Sequence, residues 1–117
     1  METTINNTLQ VFNFKDQQVE VIMINGKPHF IGKQVATILG YSNTNDAIIK
    51  HVDAEDKEVS QIATTSGLQA MTVINESGLY SLILSSKLES AKEFKSWVTS
   101  EVLPSIRKTG KFEVKIS

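Results

Sequence analysis

Apolar positions along this chain follow two spacings, and the switch between them marks its organisation. Toward the N-terminus they come in short β-branched and aromatic runs. Leu9-Gln10-Val11-Phe12-Asn13-Phe14 alternates in part, and Val19 to Ile24 is an apolar run. Asn25-Gly26 and Lys27-Pro28 follow, and His29-Phe30-Ile31 resumes the pattern. Asn-Gly between apolar runs signals a hairpin, because both residues accept the left-handed backbone of a tight turn. The pattern predicts a three-stranded meander. From Gly32 or Lys33 the spacing turns helical, with Val35, Ala36, Ile38 and Leu39 on one stripe and Gly40 as its stop. Ser42-Asn43-Thr44 supplies caps for a second helix carrying Ala47, Ile48 and Ile49, with Asp46 in its first turn and its end near Val52. Asp53 to Asp56 reads as an acidic loop.

Val59 to Ala63 and Ala70 to Ile74 read as two strands joined by the turn Thr64-Thr65-Ser66-Gly67. Asn75 caps a helix through Leu79, Leu82 and Ile83, and a last helix begins near Glu89. In it Ala91, Phe94, Val98, Val102 and Ile106 recur at three- and four-residue intervals, as a core-facing stripe does, and Trp97 and Leu103 widen it. Pro104 removes a backbone donor and is expected to kink or restart this helix, with Gly110 as its stop. The fold class expected is α+β: a small, mostly antiparallel sheet with four or five helices, including a helix-turn-helix-like pair.

Length and composition narrow this only a little. A chain of 117 residues is one domain, 1–117, with 1–8 and 111–117 as flexible ends. A hydrophobic fraction of 40% and a charged fraction of 21% belong to a globular chain rather than a disordered one. There is no Cys, which excludes disulfides and thiolate metal sites. No apolar run approaches the roughly 20 residues that span a bilayer. The opening METTINNTLQ lacks the basic-then-apolar pattern of a secretory signal, so a cytoplasmic protein without membrane contact is expected.

Net charge is −1, which argues against polyanion binding by the whole surface. The charges are unevenly placed. Asp53, Glu55, Asp56 and Glu58 surround the single base Lys57. From Lys87 onward, bases outnumber acids and include Arg107, Lys108 and Lys111. A basic flank of this kind can meet phosphates, or can simply complement a helix terminus.

The segment Gly32 to Val52 is the first candidate site. Ala36 and, four residues later, Gly40 are small enough to let two helices cross closely, as in a helix-turn-helix. Ser42, Asn43, Thr44 and Asn45 near the start of the second helix would then face base edges, where Asn pairs well with adenine. Lys33, Lys50 and His51 would meet the DNA backbone, with Arg107 and Lys108 as a further phosphate clamp. Tyr41, in the turn, is the one aromatic ring outside the apolar stripes. The bland alternative is a helical hairpin whose polar residues only cap helix ends, and Asp46 would repel phosphate if it faced a groove. A second candidate is the acidic stretch Asp53, Glu55, Asp56 and Glu58, which could imitate phosphates for a basic protein partner.

Catalytic patterns are missing. There is no phosphate-cradling glycine loop, no nucleophile elbow and no Cys nucleophile, so an enzyme is not expected. His51 with Asp53, Glu55 and Asp56 lacks metal-ligand spacing, and the calcium-loop pattern lacks its central glycine. No metal or other cofactor is expected, and His29, within an apolar strand, reads as structural.

Two strings carry a further signal. One is Val73-Ile74-Asn75-Glu76-Ser77-Gly78-Leu79-Tyr80-Ser81-Leu82-Ile83. The other runs from Phe94-Lys95-Ser96-Trp97 through Glu101-Val102-Leu103-Pro104-Ser105-Ile106-Arg107 to Gly110. With Gly26 to Lys33, Leu39 to Asn43 and Asp46 to Val52, they resemble the BRO N-terminal domain of phage and prophage antirepressors and insect DNA viruses. That resemblance implies a regulator in the cytoplasm of a bacterial host cell. Double-stranded DNA is the implied partner, through the helix-turn-helix-like pair, with homo-oligomerisation open. The alternative it leaves is a protein-interaction module that sequesters a phage repressor without touching DNA. Members of this family commonly continue past the Thr109-Gly110 region into a second, variable domain, so the chain is expected to be a short stand-alone form or an N-terminal module.

Overall fold

The structure, a computed structural model, describes residues 9–64 and 66–109, without the side chains of 64 and 107–109. The ends expected to be flexible, 1–8 and 111–117, lie outside the described residues, as does Gly110. Strands β1 (Leu9–Phe14), β2 (Gln17–Ile24) and β3 (Lys27–Ile31) form the meander. Both turns have positive φ at their two central residues: 48° and 67° at Lys15 and Asp16, 53° and 77° at Asn25 and Gly26. This is the mirror-image turn whose twist matches a two-residue hairpin.

Helices α1 (Gly32–Ile38) and α2 (Thr44–His51) follow, then a single 3₁₀ turn at Ala54–Asp56. Strands β4 (Lys57–Thr64) and β5 (Gly67–Ile74) make a hairpin longer than its apolar residues suggested. Helices α3 (Glu76–Ser85), α4 (Ser90–Trp97) and α5 (Leu103–Thr109) complete the described residues. The sheet is antiparallel in every pairing and ordered β1-β2-β3-β5-β4, so β5 enters between β3 and β4.

Strand alternation sends Phe14, Val19, Val21, Phe30 and Ile74 to the face covered by helices, where they join Val35, Leu79, Leu82 and Phe94 in the main core. The opposite face carries a smaller cluster of Ile22, Ile31, Ile62 and Val73. Leu9 of β1 and Leu68 of β5 line one cavity of about 190 Å³ with Ile22 and Ile62, although β2 and β3 separate their strands. The sheet therefore curls, and the hairpin closes over its own second face. His29 is buried on that face, with Nδ1 3.0 Å from the Lys27 carbonyl oxygen and Nε2 3.5 Å from Glu58 Oε2.

Between α4 and α5 the helix widens into a π turn over Val98–Val102. Pro104 has no N–H for the Ser100 carbonyl, and its ring would crowd that carbonyl in an ordinary helix. The Leu103 N–H reaches back five residues to the Val98 carbonyl oxygen instead. Thr99 Oγ1 donates to the Lys95 carbonyl oxygen at 3.0 Å and Ser100 Oγ to that of Ser96 at 2.6 Å, so two hydroxyls of the widened turn bond back to the turn before it. The helix is thus not broken at the proline; the strain expected there is absorbed one turn earlier.

Candidate nucleic-acid interface

Helices α1 and α2 meet at a glycine. A Cβ on Gly32 would sit 2.7 Å from Ile48 Cδ1, so the first residue of α1 sets how closely α2 can cross. Ala36 is fully buried beneath the pair, and Gly40 turns the chain at φ 86°, with Leu88 packed against it. The close approach of α1 to α2 is made at Gly32, whereas the neighbour at Gly40 is Leu88, outside the helix pair. Tyr41 N–H bonds the Ala36 carbonyl oxygen at 3.0 Å, and Gly40 N–H bonds that of Thr37 at 3.1 Å, which closes α1.

Each residue singled out near α2 has a definite place. Asn43 is the cap: its Oδ1 accepts from the Asp46 N–H at 3.0 Å. Asp46 is paired with Lys50 across one helical turn at 3.1 Å, which offsets the negative charge that would have faced DNA. Tyr41 turns inward, donating its hydroxyl to the Leu82 carbonyl oxygen at 2.8 Å, with its ring 5.6 Å from that of His51. Burial raises the Tyr41 phenol above its usual range, opposed in part by the Ser85 hydroxyl. Ser42 and Asn45 are exposed and Thr44 half-buried; none of the three makes a side-chain hydrogen bond among the described residues. Arg107 and Lys108 lie in α5, and their side chains are outside the described residues.

Beside α2 runs a groove of about 380 Å³ that sequence spacing alone does not disclose. Lys33 of α1, Asn45 and Ile48 of α2, and Gln69, Ala70 and Thr72 of β5 line it. Its polar groups come from three elements, of which β5 is distant in sequence from α1 and α2. Lys33, Asn45 and Gln69 make no side-chain ion pair or hydrogen bond among the described residues, so an ammonium and two amides remain available to a ligand. Gln34, also at the groove, is occupied: it receives the Glu20 N–H at 2.8 Å and donates to Glu20 Oε1 at 2.7 Å. Lys33 is the one candidate cation of α1 and α2 left unpaired, since Lys50 is bound to Asp46.

The acidic stretch is divided by the fold. Asp56 accepts from Asn75 Nδ2 at 3.2 Å, and Glu58 lies against His29. Asp53 and Glu55 stand exposed without an ion-pair partner among the described residues. No group of three or more metal-ligating side chains occurs among the described residues, and no helix there is long and apolar enough to cross a membrane.

Comparison with known proteins gives a consistent assignment. Residues 18–104 match the model of the BRO family, N-terminal domain. An uncharacterized protein of Haemophilus influenzae is 43% identical over 114 residues, which is 95% of this chain and 57% of that protein. A Bro-N domain-containing protein of Invertebrate iridescent virus 6 is 36% identical over 86% of this chain and 28% of its own length. Another, from Autographa californica nuclear polyhedrosis virus, is 33% identical over 85% of the chain and 32% of the viral protein. No solved structure matches.

Proposed function

Because the chain belongs to the BRO family as its N-terminal domain, we propose that it is the DNA-binding module of an antirepressor-type regulator of phage or prophage origin. The observation that carries this reading is the groove between α1–α2 and β5, where Lys33, Asn45 and Gln69 present an unpaired cation and two uncommitted amides. Amides suit adenine edges and a lysine suits phosphate. Helix α2 would enter a groove of the duplex and the β4–β5 hairpin would lie beside it, as a wing does. With one free cation lining the groove among the described residues, few counterions are released, so the salt dependence is expected to be shallow.

Repressor capture through the acidic stretch has less to work with, since among the described residues Asp56 and Glu58 have partners and Asp53 and Glu55 alone of the four keep free carboxylates. The deciding experiment is an anisotropy titration of the protein with the regulatory DNA flanking its own coding region and with scrambled duplex, at two salt concentrations. Preference for the native duplex that survives the higher salt supports the proposal. Equal binding to both duplexes, or none, sinks it, and co-purification with a repressor would then favour capture. Lys33→Ala should weaken all duplexes alike, whereas Asn45→Ala should weaken the preferred one selectively.

A further inference from the structure

Helix α2 carries an exposed isoleucine that neither core uses. Ile49 is 71% exposed, while its neighbour Ile48 is 5% exposed in the core. It lies one turn from Asn45, on the same flank of α2. That flank is otherwise polar: the Asp46–Lys50 pair on one side, the groove with Lys33 and Gln69 on the other. A protein-docking patch would need further apolar neighbours around it. A single branched alkyl group beside a free amide, one helical turn apart, matches something smaller. Adenine presents an N6 donor and N7 acceptor to one carboxamide, and thymine presents a methyl group to an alkyl side chain.

Resting on the DNA-binding reading above, we propose that Asn45 and Ile49 are the specificity-determining pair of this domain and that they read adjacent A·T positions in the major groove. Asn45 bonds the adenine edge, and Ile49 packs on the thymine C5 methyl. Asn43 takes no part in readout, because its Oδ1 is held by the Asp46 N–H. Lys33 fixes the register on phosphate and carries no sequence information.

The test begins with selection of the preferred duplex from a random pool. Each thymine is then replaced singly by deoxyuridine, which removes one methyl group and leaves the pairing intact. At one position the parent protein should lose about fourfold in affinity, the worth of one buried methyl group. Ile49→Ala should bind the thymine and uracil duplexes equally, while retaining the adenine preference. Asn45→Ala should lose that preference, with a drop of about tenfold or more at the adenine position. A parent protein that selects a site yet tolerates every uracil would overturn the role of Ile49 and leave DNA binding standing. Failure to select any site would overturn the DNA-binding reading and this inference together. Circular dichroism of both variants separates loss of contact from loss of fold.

Discussion

Asn75 holds Asp56 and caps α3 with the same side chain: Nδ2 donates to Asp56 Oδ1 at 3.2 Å, and Oδ1 accepts from the Gly78 N–H at 2.9 Å. Its backbone N–H also bonds the Asp56 carbonyl oxygen at 3.0 Å. The acidic turn before β4 is thereby tied to the start of α3. Asn75→Ala should cost about 1–2 kcal/mol, the upper part of the range for a lost cap. Asn75→Ser, which keeps a capping oxygen, should recover the greater part. Urea denaturation of the three proteins measures the difference; an unchanged midpoint for the alanine variant would remove Asn75 from the stability of this junction.

The Gly32–Ile48 contact predicts a coupled pair. Gly32→Ala places a methyl group against Ile48 Cδ1 and should destabilise the protein by roughly 1–3 kcal/mol. Ile48→Val removes that Cδ1, so the double variant should be more stable than the sum of the two single losses implies. Strict additivity in a thermal or chemical denaturation cycle would show that the helices do not meet there.

Phe94 is fully buried, with its ring edge-on to Phe14 at 5.2 Å and tilted against Trp97 at 5.8 Å. It links α4 to β1, the strand at one edge of the sheet. Phe94→Ala should cost about 3–5 kcal/mol, read from guanidinium denaturation. Phe94→Leu, which keeps much of the volume, should cost clearly less.

Tyr41 predicts an alkaline signature. Its phenol is raised in the folded state by burial, so the unfolded chain releases that proton first as pH increases. The stabilising contribution is complete below the unfolded value, about pH 10, and is lost as pH climbs through the folded one. Tyr41→Phe should cost roughly 0.5–1.5 kcal/mol at neutral pH, where it deletes the bond to the Leu82 carbonyl. The gap between parent and variant should narrow above pH 10. A gap that stays constant to pH 11.5 would contradict a neutral, hydrogen-bonded phenol.

Much of this architecture is legible in residue spacing, for reasons that differ by element. Asn25-Gly26 names its own turn, whereas Lys15-Asp16 forms the same turn without a glycine and is fixed by the register of β1 on β2. Strand β5 starts ahead of Ala70 because Gly67, Leu68 and Gln69 are all exposed and leave no alternating pattern, and β4 starts at Lys57 because that residue pairs with Ile74. At the candidate site, Asn43 and Asn45 are indistinguishable as residue types, and only the geometry shows that one is occupied as a cap. The groove escapes spacing altogether, since Lys33 and Gln69 line it together only because β5 pairs with β3, a neighbour that chain order does not give.

The π turn at Val98–Val102 means that the last helix carries one residue more than its packing requires. Phe94, Val98, Val102 and Ile106 stand four apart, and all are buried. On an ordinary helix such a series drifts by about 40° per step and would leave the core within a few turns. The extra residue cancels the drift. Deleting Ser100 resets the buried series to intervals of four, three and four, the natural rhythm of an α-helix. It also brings the Thr99 carbonyl under the Pro104 ring, so the shortened helix needs Pro104→Ala beside the deletion. That double variant should still fold, with a circular dichroism spectrum close to the parent's, whereas deletion of Ala91 from the regular part of α4 should unfold the protein.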